Sequence, residues 1–464
     1  MKKIYLLLIS VILFSGCDSD FTDLAPSSNR NEADFFRNSD DFLVALNASY
    51  AGLQEQGVYG RSYWVLFEMR SDNTDQGPDA TGLARQYTEI NQFTEGPLNE
   101  QVDAAWSASY RVIANCNVIL SRIENVENIS DNVKNSIKGE ALFLRSLMYY
   151  HLAVAFGNIP LQLVPFIPGD VLNQTSASEV YEQLIIDLTE AEAFLPVTQS
   201  SENTGKATKG AAATLLAKVQ LTSGLNSQAE TTLRRIINSY NYSLVPEYSS
   251  LWGISNENNS ESIFEVQFLS GGIGQGSSFT NEFSPSGDLQ TGQGFGRNRP
   301  TDILRNLFES EDLRFDSSMG TSYINSEGEE ISQNYIKKFF SNPPTENDSD
   351  VNFVVFRYAD VLLMLAEAIG ESNESYDLIN QVRARAGLSP IDASSPGSFK
   401  EKLLKERQLE LAFENHRWAD LKRFNMVNEK LNQAESDVIN ESDIRDLFFI
   451  PQREMDINPN FTQN

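Results

Sequence analysis

Two histidines, two cysteines and 64 carboxylates are the side chains through which this 464-residue chain could do nucleophilic, acid–base or metal chemistry. Neither His151 nor His416 stands in a metal-ligand pair such as HExxH, and no GxSxG turn supplies an activated nucleophile. Cys116 lies in an apolar helical stretch and is expected to be a buried small hydrophobe. Gly205-Lys206 lacks the upstream glycine and the following hydroxyl of a phosphate loop. The glycine-rich run GGIGQGSSFTNEFSPSGDLQTGQGFGRNR fails GxGxxG in every register. A glycosidase needs only two carboxyl groups about 5–10 Å apart, and so many acids supply such a pair by chance. Asp72-Asn73-Thr74-Asp75 and Asn347-Asp348-Ser349-Asp350 carry calcium-type ligands without the EF-hand spacing.

The elements that must position any site repeat at the helical period. Over 99–126, Val112, Cys116, Ile119 and Ile123 form one stripe and Trp106, Ile113 and Leu120 its neighbour. Over 133–156, Ala141, Leu144, Met148, Leu152 and Ala155 do the same before Gly157 and Pro160 stop the helix. Further pairs are expected at 178–195 with 207–222, at 356–370 with 374–386, and at 398–415 with 418–425. The expected fold is mostly α, an α-α superhelix of tetratricopeptide-like helical hairpins with irregular, loop-rich insertions, although no clean 34-residue repeat is present. The insertions are 57–97 and 242–299, the second carrying a strand-like IFEVQF at 263–268. Long irregular segments inside a folded chain concentrate function, so a site is sought there.

The N-terminus bears on location. Lys2 and Lys3, the apolar run 4–14 and Ser15-Gly16 read as an export signal over 1–16, too short to span a bilayer. The small-small-Cys junction resembles a lipobox, with Phe14 where Leu is usual, and marks Cys17 for acylation; ordinary secretion is the alternative. Residues 17–30 form a polar, acidic tether, which looks like the surface-export signal of Bacteroidetes lipoproteins, and the folded part is expected over 31–464 as one domain. The net charge of −28, more negative still once Lys2 and Lys3 are removed, repels phosphates and anionic headgroups. Nucleic-acid binding and polybasic membrane attachment are thereby discarded, leaving the lipid as the membrane contact.

Four C-terminal motifs occur in order: FRYADVLLMLAEAI at 356–369, INQVRARAGL at 379–388, ERQLELAFENHRWADLKRF at 406–424 and IPQREMDINPNFTQN at 450–464. With GEALFLRSLMYYHLAVAFGNIPL and ATKGAAATLLAKVQL upstream, they resemble the SusD/RagB family of outer-membrane nutrient-binding lipoproteins. Read from the residues alone, the 406–424 motif is scaffold: Arg407, Glu410, Glu414, Arg417, Asp420 and Arg423 recur every three or four positions, so opposite charges meet on neighbouring turns. Glu367 is expected to pair with Arg383 or Arg385.

The resemblance implies a non-catalytic, surface glycan-binding protein that serves a SusC-like, TonB-dependent transporter at the outer membrane and needs no cofactor. A helical glycoside hydrolase and a RagB-type peptide-uptake component are the alternatives. Sugar rings stack on aromatic faces while Asn, Asp, Gln and Arg take the hydroxyls. By that chemistry Tyr63, Trp64, Arg70, Asp72, Asn73, Asp75 and Tyr87 are the first candidates, followed by Trp252, Phe279, Phe283, Phe295, Arg297 and Arg299. Stacking on Trp64 predicts that Trp64→Ala costs about 1 kcal/mol of affinity. Whether the glycan is neutral or acidic stays open, since Arg61, Arg70, Arg85, Arg297 and Arg299 can reverse the overall charge locally.

Overall fold

Polar caps set where the helices begin. The structure, a computed structural model, describes residues 35–76, 82–167, 169–289, 292–343, 345–433 and 444–464. The signal, Cys17 and the tether lie outside the described residues. Asn38 accepts the backbone N–H groups of Asp40 and Asp41 at the start of α1 (Ser39–Gln54), and Asn99 does so for α4 (Glu100–Ile123). Ser176 and Glu179 form a reciprocal capping box on α6 (Ala177–Phe194), as Ser398 and Glu401 do on α12 (Phe399–Glu410). Gly157 at φ 69° ends α5 (Asp131–Phe156), a backbone state a side chain would strain.

The scaffold is mostly helical and tetratricopeptide-like. α4 packs on α1 and α5, α5 on α6, and α6 on α7 (Lys209–Thr222), whose Ala211, Ala212, Ala213 and Ala217 are fully buried and allow close approach. α7 then packs on α8 (Asn226–Ser239), a helix not foreseen, whose Ala229, Thr232, Leu233 and Ile236 form its buried stripe. α8 meets α10 (Tyr358–Ile369), which pairs with α11 (Asn373–Arg385). α12 stops at Glu410, five residues short of expectation, because Phe413 and Asn415 adopt φ 72° and 64° before α13 (Arg417–Arg423). The buried Glu68 carboxylate holds this turn by accepting N–H groups from both, at 2.8 and 3.1 Å.

Short antiparallel ladders tie the insertions to the scaffold. β1 (Thr74–Asp75) pairs with β3 (Arg299–Pro300), β2 (Ser262–Val266) with β6 (Phe353–Arg357), and β4 (Met319–Ile324) with β5 (Glu330–Ile336). A continuous apolar core runs from Phe42 to Phe461. Cys116 is buried in it, and burial pushes its thiol up to about 12.

Both histidines belong to the interior. His151 sits among Tyr59, Tyr63 and Phe67, its Nε2 2.8 Å from the Tyr59 hydroxyl; burial first, then the Lys218 charge, pushes it down to about 3. His416 Nδ1 lies 2.9 Å from Lys218 Nζ and is pushed down to about 4, burial and Lys218 outweighing Asp360, Glu414 and Asp420. Their ring NMR signals are expected to stay flat from about pH 8 to about pH 5. An inflection near 6.5 in either would place that ring in water.

Candidate functional site

The two irregular stretches meet. β1 lies in the first and β3 in the second, in register Thr74↔Pro300 and Asp75↔Arg299. In the first stretch α2 (Ser62–Phe67) runs SYWVLF with all six residues buried, so it has no solvent face. Trp64 packs edge-on to Tyr87 of α3 (Gly82–Asn91), ring centroids 5.5 Å apart, and to Phe283 of α9 (Phe279–Phe283) at 5.2 Å. Phe279 stacks on Phe283 at 5.9 Å and 17°. These rings form a buried aromatic floor.

Polar groups stand above it. Glu282 is buried between Phe279 and Phe283; its Oε1 accepts from Arg61 at 3.0 Å and its Oε2 from Arg297 at 2.6 Å. The Arg297 guanidinium lies 4.9 Å from the Phe295 ring and 5.4 Å from that of Tyr87, within cation–π range. Arg299 donates to Asp75 at 2.9 Å, and the Thr74 hydroxyl donates to Asn298 Oδ1 at 2.6 Å. The Arg61, Arg297 and Arg299 side chains keep 22%, 18% and 27% of their surface in solvent, so the rim is reachable while the floor is not. Burial and the Glu282 charge push the Tyr87 hydroxyl up to about 12 against the pull of Arg61 and Arg297; it stays protonated at neutral pH.

Several foreseen candidates are corrected. Trp64, Tyr87, Phe279 and Phe283 are at most 2% exposed and offer no ring face to a sugar. Tyr63 is also interior, its hydroxyl 2.8 Å from Ser109 Oγ. Arg70 is clamped between the Phe93 and Phe448 rings, at 4.1 and 4.2 Å, and donates to Glu95 at 2.6 Å. Both Asp72 oxygens accept from Arg417, at 2.7 and 2.6 Å, and Asn73 bonds Glu68 and Gln408. Arg70, Asp72 and Asn73 therefore brace the first stretch against the C-terminal third. Trp252 is half-buried beside Tyr248, with Phe339 between it and Phe279, and is not brought to the junction. Asp75, Phe295, Arg297 and Arg299 are the candidates left in reach of solvent at the junction.

Glu282 and Asn298 were missed. Their only sequence signal is an acid framed by two phenylalanines and an asparagine framed by two arginines. The calcium-type runs are spent internally: Asp348 Oδ2 accepts from Gly271 and Gly272 N–H at 2.9 Å each, and Asp350 from Ser270 at 2.7 Å. Among the described residues, no group of three or more His, Cys, Asp or Glu is arranged to hold a metal ion, and no helix is long and apolar enough to cross a membrane. Another concavity, about 420 Å³, is lined by Trp106, Tyr110, Asn117, Phe166, Leu172 and Arg453, none of them a candidate from the sequence.

A helical-repeat superhelix that carries its reachable chemistry on inserted loops defines a scaffold for those loops. Residues 314–464 match the model of the SusD family, and residues 20–221 match the family described as starch-binding associating with outer membrane. SusD-like protein P2 of Formosa agariphila is 30% identical over 92% of each chain. The chain belongs to the SusD family. A solved laminarin-binding SusD-like protein superposes with a TM-score of 0.80 at 28% identity, over 92% of this chain and 99% of that one. Surface glycan-binding protein A of Bacteroides thetaiotaomicron, solved with laminarihexaose, gives a TM-score of 0.80 over 92% and 99% at 20% identity, a likeness of fold.

Proposed function

We propose that this chain is a surface glycan-binding lipoprotein, anchored at the outer membrane through an acylated Cys17 and a 17–30 tether. The 31–464 body captures oligosaccharide without altering it and passes it to a SusC-like, TonB-dependent transporter. The observation that carries the reading is the partly exposed aromatic and guanidinium rim of Phe295, Arg297 and Arg299 over a buried floor, on the fold of a protein named for binding laminarin. Such a rim supplies an apolar surface for a sugar ring beside fixed donors for its oxygens. The family description, starch-binding associating with outer membrane, supports both ligand class and location.

Calorimetric titration against a glycan panel is expected to find saturable binding to one class with no new reducing ends. Phe295→Ala should weaken that binding by about fivefold or more, the worth of one aromatic contact of about 1 kcal/mol. Absence of any glycan binding overturns the reading; reducing-end release abolished by a single carboxylate change replaces it with a hydrolase, and competition by oligopeptides alone with a peptide carrier.

A further inference from the structure

We propose that the junction takes a glycan bearing negative charge, a uronate carboxylate or a sulfate ester, with Arg61 and Arg297 as the groups that contact the anion. This names the class of sugar for the site just described and rests on that reading.

The first support is charge balance. Glu282 is shared by two guanidiniums, one on each oxygen, while the neighbouring Arg299 is matched by Asp75. Among the described residues the junction therefore keeps one positive charge in excess, inside a chain of net charge −28. In the scaffold network the charges balance: Arg314, Lys338, Arg357, Arg383 and Arg385 stand against Glu261, Asp312, Glu406, Glu410 and Glu414. Charge excess in a partly exposed, protein-walled site is where an anion gains most.

The second support is independent of charge. Trp64 and Tyr87 are fully buried side chains, yet among the described residues the Trp64 indole N–H and the Tyr87 hydroxyl have no hydrogen-bond partner, and the buried Arg61 Nε has none either. Buried donors are seldom left unpaired. Of these residues only Arg61 keeps side-chain surface in solvent, so its guanidinium and that of Arg297 are the donors open to a ligand, while Trp64 and Tyr87 line the closed floor beneath them. A sugar hydroxyl brings a proton with each oxygen and needs an acceptor in return. Glu282 has each oxygen already engaged by a guanidinium, which leaves Asp75, whose Oδ1 takes both Arg299 contacts, as the one carboxylate acceptor a hydroxyl could use among the described junction side chains. A carboxylate or sulfate oxygen brings lone pairs alone, and the planar guanidinium fork suits either group.

The test uses the mature protein and a panel of uronate-containing, sulfated and uncharged polysaccharides, laminarin among the last, titrated at low and high salt. The ligand found is expected to be anionic, with affinity that falls as salt rises and drops tenfold or more in Arg297→Gln and in Arg61→Gln. Either single variant leaves Glu282 paired with the other arginine, so the fold is retained; unchanged melting verifies this, and Arg297→Lys should recover part of the loss. A uronate polymer as the binder assigns the carboxylate, a sulfated one the ester. Binding confined to uncharged polymers, or anionic binding untouched by both glutamine variants, overturns this inference and leaves glycan binding standing. A panel with no binder at all overturns the proposed function instead.

Discussion

Arg357→Met is expected to destabilise the protein by about 3–5 kcal/mol, because it takes one shared counter-charge from three buried carboxylates, leaving Arg385 to Glu261, Arg314 and Arg385 to Glu410 and Lys338 alone to Glu414. Arg357 is 1% exposed at the end of β6. It donates to Glu261 at 2.9 Å, to both Glu414 oxygens at 2.7 and 3.0 Å, and to the Glu410 side chain and carbonyl. Burial raises Glu410 and Glu414, but the arginine charges outweigh it and hold both carboxyls below the usual range, Arg385, Arg357 and Arg314 acting on Glu410 and Arg357 with Lys338 on Glu414. In the native chain a depressed carboxyl contributes stability that is fully present above its unfolded pKa and is lost as pH falls. Without Arg357 the Glu414 carboxyl rises instead, and a raised carboxyl costs most when it must stay ionised. The loss should therefore be larger at about pH 7 than at about pH 5, and Glu414→Gln in the variant should recover part of it. Denaturant midpoints at both pH values check this; a loss under about 1 kcal/mol, or one independent of pH, would refute the role given to the network. The effect reaches the site because Glu261 precedes β2, which pairs with β6 and anchors the second irregular stretch.

The charged motif of the C-terminal third was legible as scaffold from spacing alone, and Asp420 does bond Arg423 three positions on and Arg407 across the turn. Its partners were less legible: Glu367 pairs with Arg423, while Arg383 pairs with Glu406 and Arg385 with Glu261 and Glu410. Helical periodicity reports which face is buried and leaves open which helix will cover it. The hairpin of β4 and β5 escaped notice because its strands are mostly half-buried and polar, with no apolar alternation to mark them.

The same limit governed the site. The meeting of 57–97 with 242–299 was not stated by any local pattern, since the Thr74–Asn298 bond joins residues 224 positions apart. Asp72 and Asn73 looked like hydroxyl-binding groups because nothing near them in sequence claims their oxygens; Arg417, 345 positions later, claims both oxygens of Asp72. Asn298 sits in a bend at φ 51° and is fully buried between the partly exposed Arg297 and Arg299, a local turn that no periodicity in the sequence announces.

Trp64→Ala is expected to cost about 3–5 kcal/mol of stability and to change glycan affinity little in the protein that remains folded. Read from sequence, the residue was a stacking platform; in the structure its whole side chain is buried, wedged between Tyr87 and Phe283. Its indole N–H has no partner among the described residues, so truncation forfeits packing and opens a cavity rather than breaking a hydrogen bond. Trp64→Phe should accordingly restore much of the loss, since it refills part of the volume without restoring a donor. Phe295→Ala should behave differently, with a smaller loss of midpoint than Trp64→Ala and with weakened binding, because its ring is only partly buried. Urea midpoints and titrations of the three variants at low temperature separate floor from rim. If Trp64→Ala kept its midpoint and lost affinity, the floor would have to open to ligand, and the buried donors beneath Arg297 would become direct contacts.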